Sequence, residues 1–213
     1  CMTAFKKRFA TAYQKAKAII NSEGFGQPYL LSIDYASGGY ANSPDNLRQQ
    51  FLLDFAIHII DLCRFLFGEV ESVAAHHLTH RSATTAQTPC TYAVNLRYVS
   101  EALGILALTD RRAWSVSTEK VELTGDGSFI TVENSIEMRY YEKGKIKEVH
   151  SPSFSTAGAD SLIETGFAGE IGEFVSAIRE ERQPESSIES AYKTMRLYEA
   201  IRDSNGEQVK IDN

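Results

Sequence analysis

The chain has 213 residues, a formal charge of −6, 43% apolar and 23% charged residues. That is enough apolar material to bury a core without disulfides or metal, and too much for a chain disordered throughout. The net negative charge and the lack of any dense Lys/Arg cluster exclude a protein that tracks a nucleic-acid backbone. The three cysteines, Cys1, Cys63 and Cys90, stand at unrelated spacings, so neither a zinc site nor a disulfide framework is expected, and a reducing cytoplasm fits best.

In chain order, "CMTAF" reads as a short apolar strand joined at once to a helix. Cys1 is either a residue added ahead of Met2 or a point inside a longer protein. "FKKRF" is the one basic knot, which usually marks a solvated element end. From position 10 to 22 the apolar residues Tyr13, Ala16, Ile19 and Ile20 keep a helical period, with Gly24 placed as a cap. "QPYLLSIDYAS" is a strand, and 38–50 is polar, with Gly, Asn, Ser and Pro, and reads as a loop. The apolar stretch from Phe51 to Gly68, "FLLDFAIHIIDLCRFLFG", reads as a buried helix. Asp54, His58, Asp61 and Arg64 interrupt it, and no basic-then-apolar leader opens the chain, so neither a membrane span nor a signal peptide is predicted.

Beyond Gly68 the helical period gives way to alternation. "VESVAAHHLTH", "TYAVNLRY", "ALGILALT", "KVELT", "FITVE", "IEMRYY" and "KIKEV" read as strands, with turns at "GDGS" and "EKGK". Tyr92, Val94, Leu96 and Tyr98 share one face. Two helices follow: "AGEIGEFVSAIREE", with Ile171, Phe174, Val175 and Ile178 on one stripe, and "SSIESAYKTMRLYEAIRDS", opened by a capping box from Ser186 to Glu189. The pattern predicts an α+β fold, an open, mostly antiparallel or mixed sheet of about six strands with helices on one face. Helices cover one face only, so an apolar opposite face predicts a homodimer or tetramer packed through it.

The ionisable residues of the 51–68 helix pose the functional question, since burying such groups is costly unless they are paired or used. At 100° per residue, Asp54, His58 and Asp61 face one way, and both carboxylates come within reach of the imidazole. A carboxylate on one ring nitrogen fixes the tautomer and raises the basicity of the other, which suits proton exchange with a substrate hydroxyl. The structural alternative stays open: His58 as a satisfied core residue, Asp54 as a helix cap, and Asp61 paired with Arg64.

Four segments together resemble the carboxy-terminal half of the Gfo/Idh/MocA oxidoreductases: "KKRFATAYQKAKAII", "GFGQPYLLSIDY", "LLDFAIHIIDLCRFLFGEVESV" and "EIGEFVSAIREERQPESSIESAYKTMRLYEAIRDSNGEQVKI". The most specific match is Asp-x-x-x-His-x-x-Asp followed by Leu-x-Gly, carried by Asp54, His58, Asp61, Leu66 and Gly68, with Arg8 and Phe9 as the opening Arg-Phe pair. The resemblance implies a carboxy-terminal domain of the glyceraldehyde-3-phosphate-dehydrogenase-like type, and a parent enzyme that uses NAD or NADP to oxidise or reduce a hydroxyl of a sugar, polyol or related small molecule. It implies His58 and Asp54 as catalytic and substrate-binding residues with Asp61 supporting, and Tyr13, Tyr35, Tyr40 and Arg48 at the substrate edge.

No strand followed by GxGxxG and no Glu-Lys-Pro is present, and "GFAGEIGEF" has the wrong glycine spacing. No cofactor site is therefore expected in this chain, which alone should be inactive. Residues 1–9 are read as the last strand of a missing Rossmann domain and 10–213 as the substrate-binding and oligomerisation domain. Where relatives carry a Gly run ahead of the Asp, this chain has "LRQQFLLD", so the sugar preference does not carry over. The rival reading is a non-enzymatic ligand-binding or scaffolding module. His76, His77 and His80 alternate across a strand, leaving at most two on one side, so no metal site is expected.

Overall fold

The computed structural model describes residues 1–37, 51–80, 88–110, 117–152 and 159–211. Five α-helices, α1 (Thr11–Ile20), α2 (Ile57–Phe67), α3 (Ala159–Glu164), α4 (Phe167–Arg179) and α5 (Ile188–Asp203), accompany a nine-stranded sheet. Its strands are β1 (Leu30–Ala36), β2 (Val70–His80), β3 (Thr88–Tyr98), β4 (Leu103–Thr109), β5 (Thr118–Thr124), β6 (Ser128–Glu133), β7 (Glu137–Glu142), β8 (Lys145–His150) and β9 (Gln208–Lys210). They lie in the order β8-β7-β6-β5-β1-β4-β3-β2-β9, an open sheet. Only β1 and β4 run parallel; every other neighbouring pair is antiparallel. The architecture is the expected α+β sheet, with nine strands rather than about six. Eight of the nine segments read as strands form, "CMTAF" being the exception, and β9 adds three residues too short to show a period.

Alternation decides which face is covered. Leu31, Ile33 and Tyr35 of β1, Val121 and Leu123 of β5, Leu106 and Leu108 of β4, and Tyr92, Val94, Leu96 and Tyr98 of β3 all point into one core. Ala12, Tyr13 and Ala16 of α1 and Ile59, Ile60, Leu62 and Leu66 of α2 close it from the helix side. The residues between them face outward, and Leu103, Ile105, Phe129, Ile146 and Val149 are exposed apolar side chains on strands β4, β6 and β8. Among the described residues no helix is long and apolar enough to cross a membrane.

Local expectations hold with shifts. Helix α1 ends on Asn21 rather than near Gly24. The cap of α5 is Ser187, whose hydroxyl accepts from the Ser190 amide at 3.3 Å, because Ser186 is drawn away to donate to the Thr3 carbonyl at 2.7 Å. "CMTAF" forms only one bridge, Met2 to Ser187, before Phe5 enters the core and Lys6–Phe9 makes a 3₁₀ turn. The stripe of α4 is not buried: Ile171, Phe174, Val175 and Ile178 are all exposed. Helix α2 is preceded by a π-helical turn, Phe51–Ala56, and is closed by Gly68 at φ 89°, whose amide bonds back to the Arg64 carbonyl at 2.9 Å.

Candidate active site

The basic knot is the first surprise. Arg8, only 5% exposed, crosses from the 3₁₀ turn to α2, where its Nε and Nη2 each donate to Asp61 at 2.6 Å. Thr194 of α5 adds a third bond to the same carboxylate at 2.9 Å, and Arg8 also reaches the Glu185 carbonyl and the Ser190 hydroxyl. This bidentate pair is buried on both sides, and it fixes how the amino-terminal turn sits on the helix that carries His58. Asp61 is thus engaged by Arg8 and Thr194. Arg64 turns instead to Glu69, Ser190 and Thr194.

Docking the turn brings Lys7 over the end of the sheet. Its ammonium donates to the Glu119 carboxylate of β5 and to the Ser135 hydroxyl at 2.9 Å. Glu119 is buried, yet it also accepts from the Tyr13 hydroxyl at 2.5 Å and from Ser135 at 2.7 Å. Burial pushes the Glu119 carboxyl up, but Lys7, Ser135 and Tyr13 together outweigh it and hold the group below the usual carboxylate range. Burial, then Glu119, pushes the Tyr13 phenol well up, so it stays a donor. The β6–β7 turn completes the arrangement. The Asn134 side chain accepts from the Glu119 amide at 3.1 Å, the Ile136 amide bonds to the Glu133 carbonyl at 3.0 Å, and Asn134 and Ser135 sit at φ 53° and 62°. Two successive left-handed residues suit Asn or Gly far better than Ser.

Between these parts opens a cavity of about 370 Å³ whose walls include Lys6, Lys7, Tyr35, Asp54, His58 and Glu119. Asp54 comes from the π turn and is exposed; His58, one turn on, is half-buried, with its ring edge-on to Phe5 at 6.1 Å. The Nδ1 of His58 is buried without a hydrogen-bond partner. Burial, then the charges of Lys7 and Lys6, pull the His58 pKa below its ordinary value, against the weaker pull of Asp61 and Glu119. The ring is neutral at neutral pH. Tyr35 lies beneath Lys7, its centroid 5.9 Å from the ammonium, and burial pushes its phenol up to about 12. Lys6 stands 3.9 Å over the Phe167 ring, and burial and Lys7 lower its pKa.

The three residues expected to share one stripe therefore part company. Asp54 and His58 meet in the cavity, while Asp61 anchors Arg8 beside it. The i→i+5 spacing of the π turn, a feature common near functional sites, breaks the uniform 100° count between 54 and 58. Tyr35 lines the cavity wall. Tyr13 does not: fully buried in α1, it supports Glu119 from behind. Tyr40 and Arg48 lie outside the described residues. Lys6, Lys7, Glu119 and Ser135 escaped the sequence reading, although Glu119 gave a signal by alternating onto the same face as Val121 and Leu123.

Two of the glycines of "GFAGEIGEF" face the chain's own turn. A Cβ at Gly166 would lie 2.1 Å from the Lys6 carbonyl oxygen, and one at Gly169 would lie 3.0 Å from Phe9 Cβ, so the chain's own 3₁₀ turn fills the space in front of both. Gly166 and Gly169 do not fit a dinucleotide. Among the described residues no three His, Cys, Asp or Glu side chains gather to hold a metal, and His76 and His77 both stand at the surface; His80 is not among the described side chains.

Residues 13–131 match the model of the GFO/IDH/MocA C-terminal domain, more than half of the chain. The chain belongs to that family. A search of curated proteins gives no match. Among solved structures, this GFO/IDH/MocA domain is similar to levoglucosan dehydrogenase in complex with NADH and levoglucosan, with a TM-score of 0.84 at 20% identity over 100% of this chain and 66% of that one. It is also similar to an oxidoreductase from Agrobacterium radiobacter in complex with NAD+, L-tartaric acid and magnesium, with a TM-score of 0.79 at 16% identity over 98% and 64% of the two chains. GenD2 from gentamicin A biosynthesis in complex with NAD gives 0.75 at 17% identity, over 98% and 63%. Such identities establish a shared fold, and the chain spans about two thirds of those proteins.

Proposed function

We propose that this chain is the substrate-binding and oligomerisation domain of an NAD(P)-dependent oxidoreductase that acts on a hydroxyl of a sugar, polyol or related small molecule. Residues 1–5 then lead in from a dinucleotide-binding domain, and the 3₁₀ turn Lys6–Phe9 packs with 10–213 as part of the substrate domain. The single observation that carries the reading is the cavity itself: His58, with a buried unpartnered ring nitrogen, beside Asp54 and Lys7. Together the imidazole, carboxylate and ammonium offer the donors and acceptors that a hydroxyl-rich ligand needs.

Oxidising a carbinol removes a hydride from carbon and a proton from oxygen. A nicotinamide, when bound, supplies the hydride acceptor, and the cavity residues provide for the rest. His58, neutral at pH 7, takes the hydroxyl proton in oxidation and returns it in reduction. Asp54 accepts a hydrogen bond from a neighbouring hydroxyl and so orients the ligand. The exposed apolar side chains on β4, β6 and β8 mark the face through which copies pair into a dimer or tetramer, and the free, unpaired cysteines Cys1 and Cys63 are consistent with a cytoplasmic location.

The test is His58→Asn in the full-length enzyme. The substitution lowers kcat by about a hundredfold or more and leaves cofactor affinity intact. Unchanged turnover removes His58 from the chemistry.

A further inference from the structure

We propose that Lys7 is the substrate-gripping cation of the cavity, held by Glu119 and Ser135 so that its remaining ammonium N–H points at a ligand oxygen. The proposal rests on the polyol reading above and adds a contact residue together with the device that positions it.

A lysine ammonium has three donors and no acceptor. Two are engaged, one by Glu119 and one by Ser135, both on the sheet side of the cavity. Lys7 lines the cavity with His58 and Asp54, and the Lys7 side chain is only 13% exposed. The third donor is left for the cavity, where Tyr35 offers it only a ring face, and a buried unfilled donor is costly. The Tyr35 ring lies under the ammonium, and the next residue is held by the Arg8–Asp61 pair.

The surroundings are built to hold that position. The Glu119 carboxylate accepts from three donors, Lys7, Tyr13 and Ser135, and its backbone amide is fixed by Asn134. Any buried ion pair needs such partners, but apolar residues of similar size would serve stability as well, so stability alone does not call for the pair. Ser135 supplies the most telling sign. A left-handed serine in a tight turn is strained where glycine would not be, and its hydroxyl touches both Lys7 and Glu119. The strain sits where a hydroxyl is needed, a pattern common at functional sites. Glu119 and Ser135 are thus positioning residues, and Lys7 is the group that meets the ligand. With Glu119 neutralising its charge, Lys7 acts as a directed donor to a hydroxyl or carbonyl oxygen more than as an attractor of anions.

The experiment follows binding of levoglucosan, L-sorbose and myo-inositol to the 213-residue chain by ¹H–¹⁵N NMR. Lys7→Met alone strands Glu119, so the decisive variant is Lys7→Met with Glu119→Gln, which removes both charges together. Ser135→Gly is the second, since it relieves the turn while deleting the hydroxyl. The proposal expects at least one probe to perturb the amides of residues 54–58 and 117–119. It expects the double variant to bind that probe at least tenfold more weakly, and Ser135→Gly to bind several-fold more weakly with an unchanged or higher Tm. A folded double variant with wild-type affinity overturns the role of Lys7 while leaving the cavity reading intact. Ser135→Gly with a lower Tm and full affinity overturns the positioning role. No perturbation of the cavity by any probe overturns the polyol reading, and this proposal with it.

Discussion

Replacing Arg8 by methionine would cut the clamp between the amino-terminal turn and α2 while keeping a side chain of similar length. Asp61, fully buried, would keep a single hydrogen bond, from Thr194, in place of three. Stranding one member of a buried, hydrogen-bonded ion pair costs about 3–5 kcal/mol. With a urea slope near the upper end of the usual range, about 3 kcal/mol per molar for a chain of this size, the unfolding midpoint would fall by about 1–1.7 M. The double variant Arg8→Met with Asp61→Leu removes both charges. Thr194 retains the Ser190 carbonyl as acceptor, so most of the loss should return. Urea titration followed by circular dichroism reads both quantities. An Arg8→Met variant that loses less than about 1 kcal/mol, or a double variant as unstable as the single one, would refute the claim that this pair fixes the turn against α2.

His58 should titrate below its ordinary value near 6.5 when its ring protons are followed by NMR. Between that value and the lower folded one the unfolded chain binds a proton that the folded chain does not, so this residue's contribution to stability falls as pH drops through that window. A midpoint above 6.5 would reverse the assigned balance of burial, Lys7 and Lys6 against Asp61 and Glu119. Ile105→Asp with Phe129→Asp should convert the proposed dimer or tetramer to monomers in sedimentation equilibrium; a wild-type chain that is already monomeric at tens of micromolar would remove the sheet face as an interface. Gly166→Ala places a Cβ at φ 91° and 2.1 Å from the Lys6 carbonyl oxygen, and should cost about 2–4 kcal/mol. A melting temperature within about 2 °C of wild type would show that α4 is free to move away from the turn.

Much of the fold was legible because alternation is a local signal. Tyr92, Val94, Leu96 and Tyr98 announce their shared face in eight residues, and the apolar period of α1 and α2 is equally direct. One strand left no signal for a physical reason: β9 is three residues long and pairs along the edge of β2. The site was legible in part. Asp54 and His58 stand out as ionisable groups in an apolar run, and they do meet in a cavity. The partner of Asp61 could not be read, because Arg8 is 53 residues away in sequence and only tertiary packing joins them. For the same reason "FKKRF" looked like a solvated end: three adjacent basic residues carry no sign that Glu119, Asp61 and Phe167 will cover one each. The π turn is likewise silent in sequence, since Phe51–Ala56 has the composition of an ordinary buried helix.

The claim on which the account turns is that the space between Lys7, Asp54 and His58 receives a hydroxylated ligand. A crystal structure of the full-length protein with NAD(H) and a polyol or sugar tests it most directly. A ligand hydroxyl should lie within hydrogen-bond reach, about 3 Å, of both His58 and Asp54, with a second ligand oxygen on the Lys7 ammonium. A ligand bound productively elsewhere, with these three side chains contacting only protein or water, would contradict it.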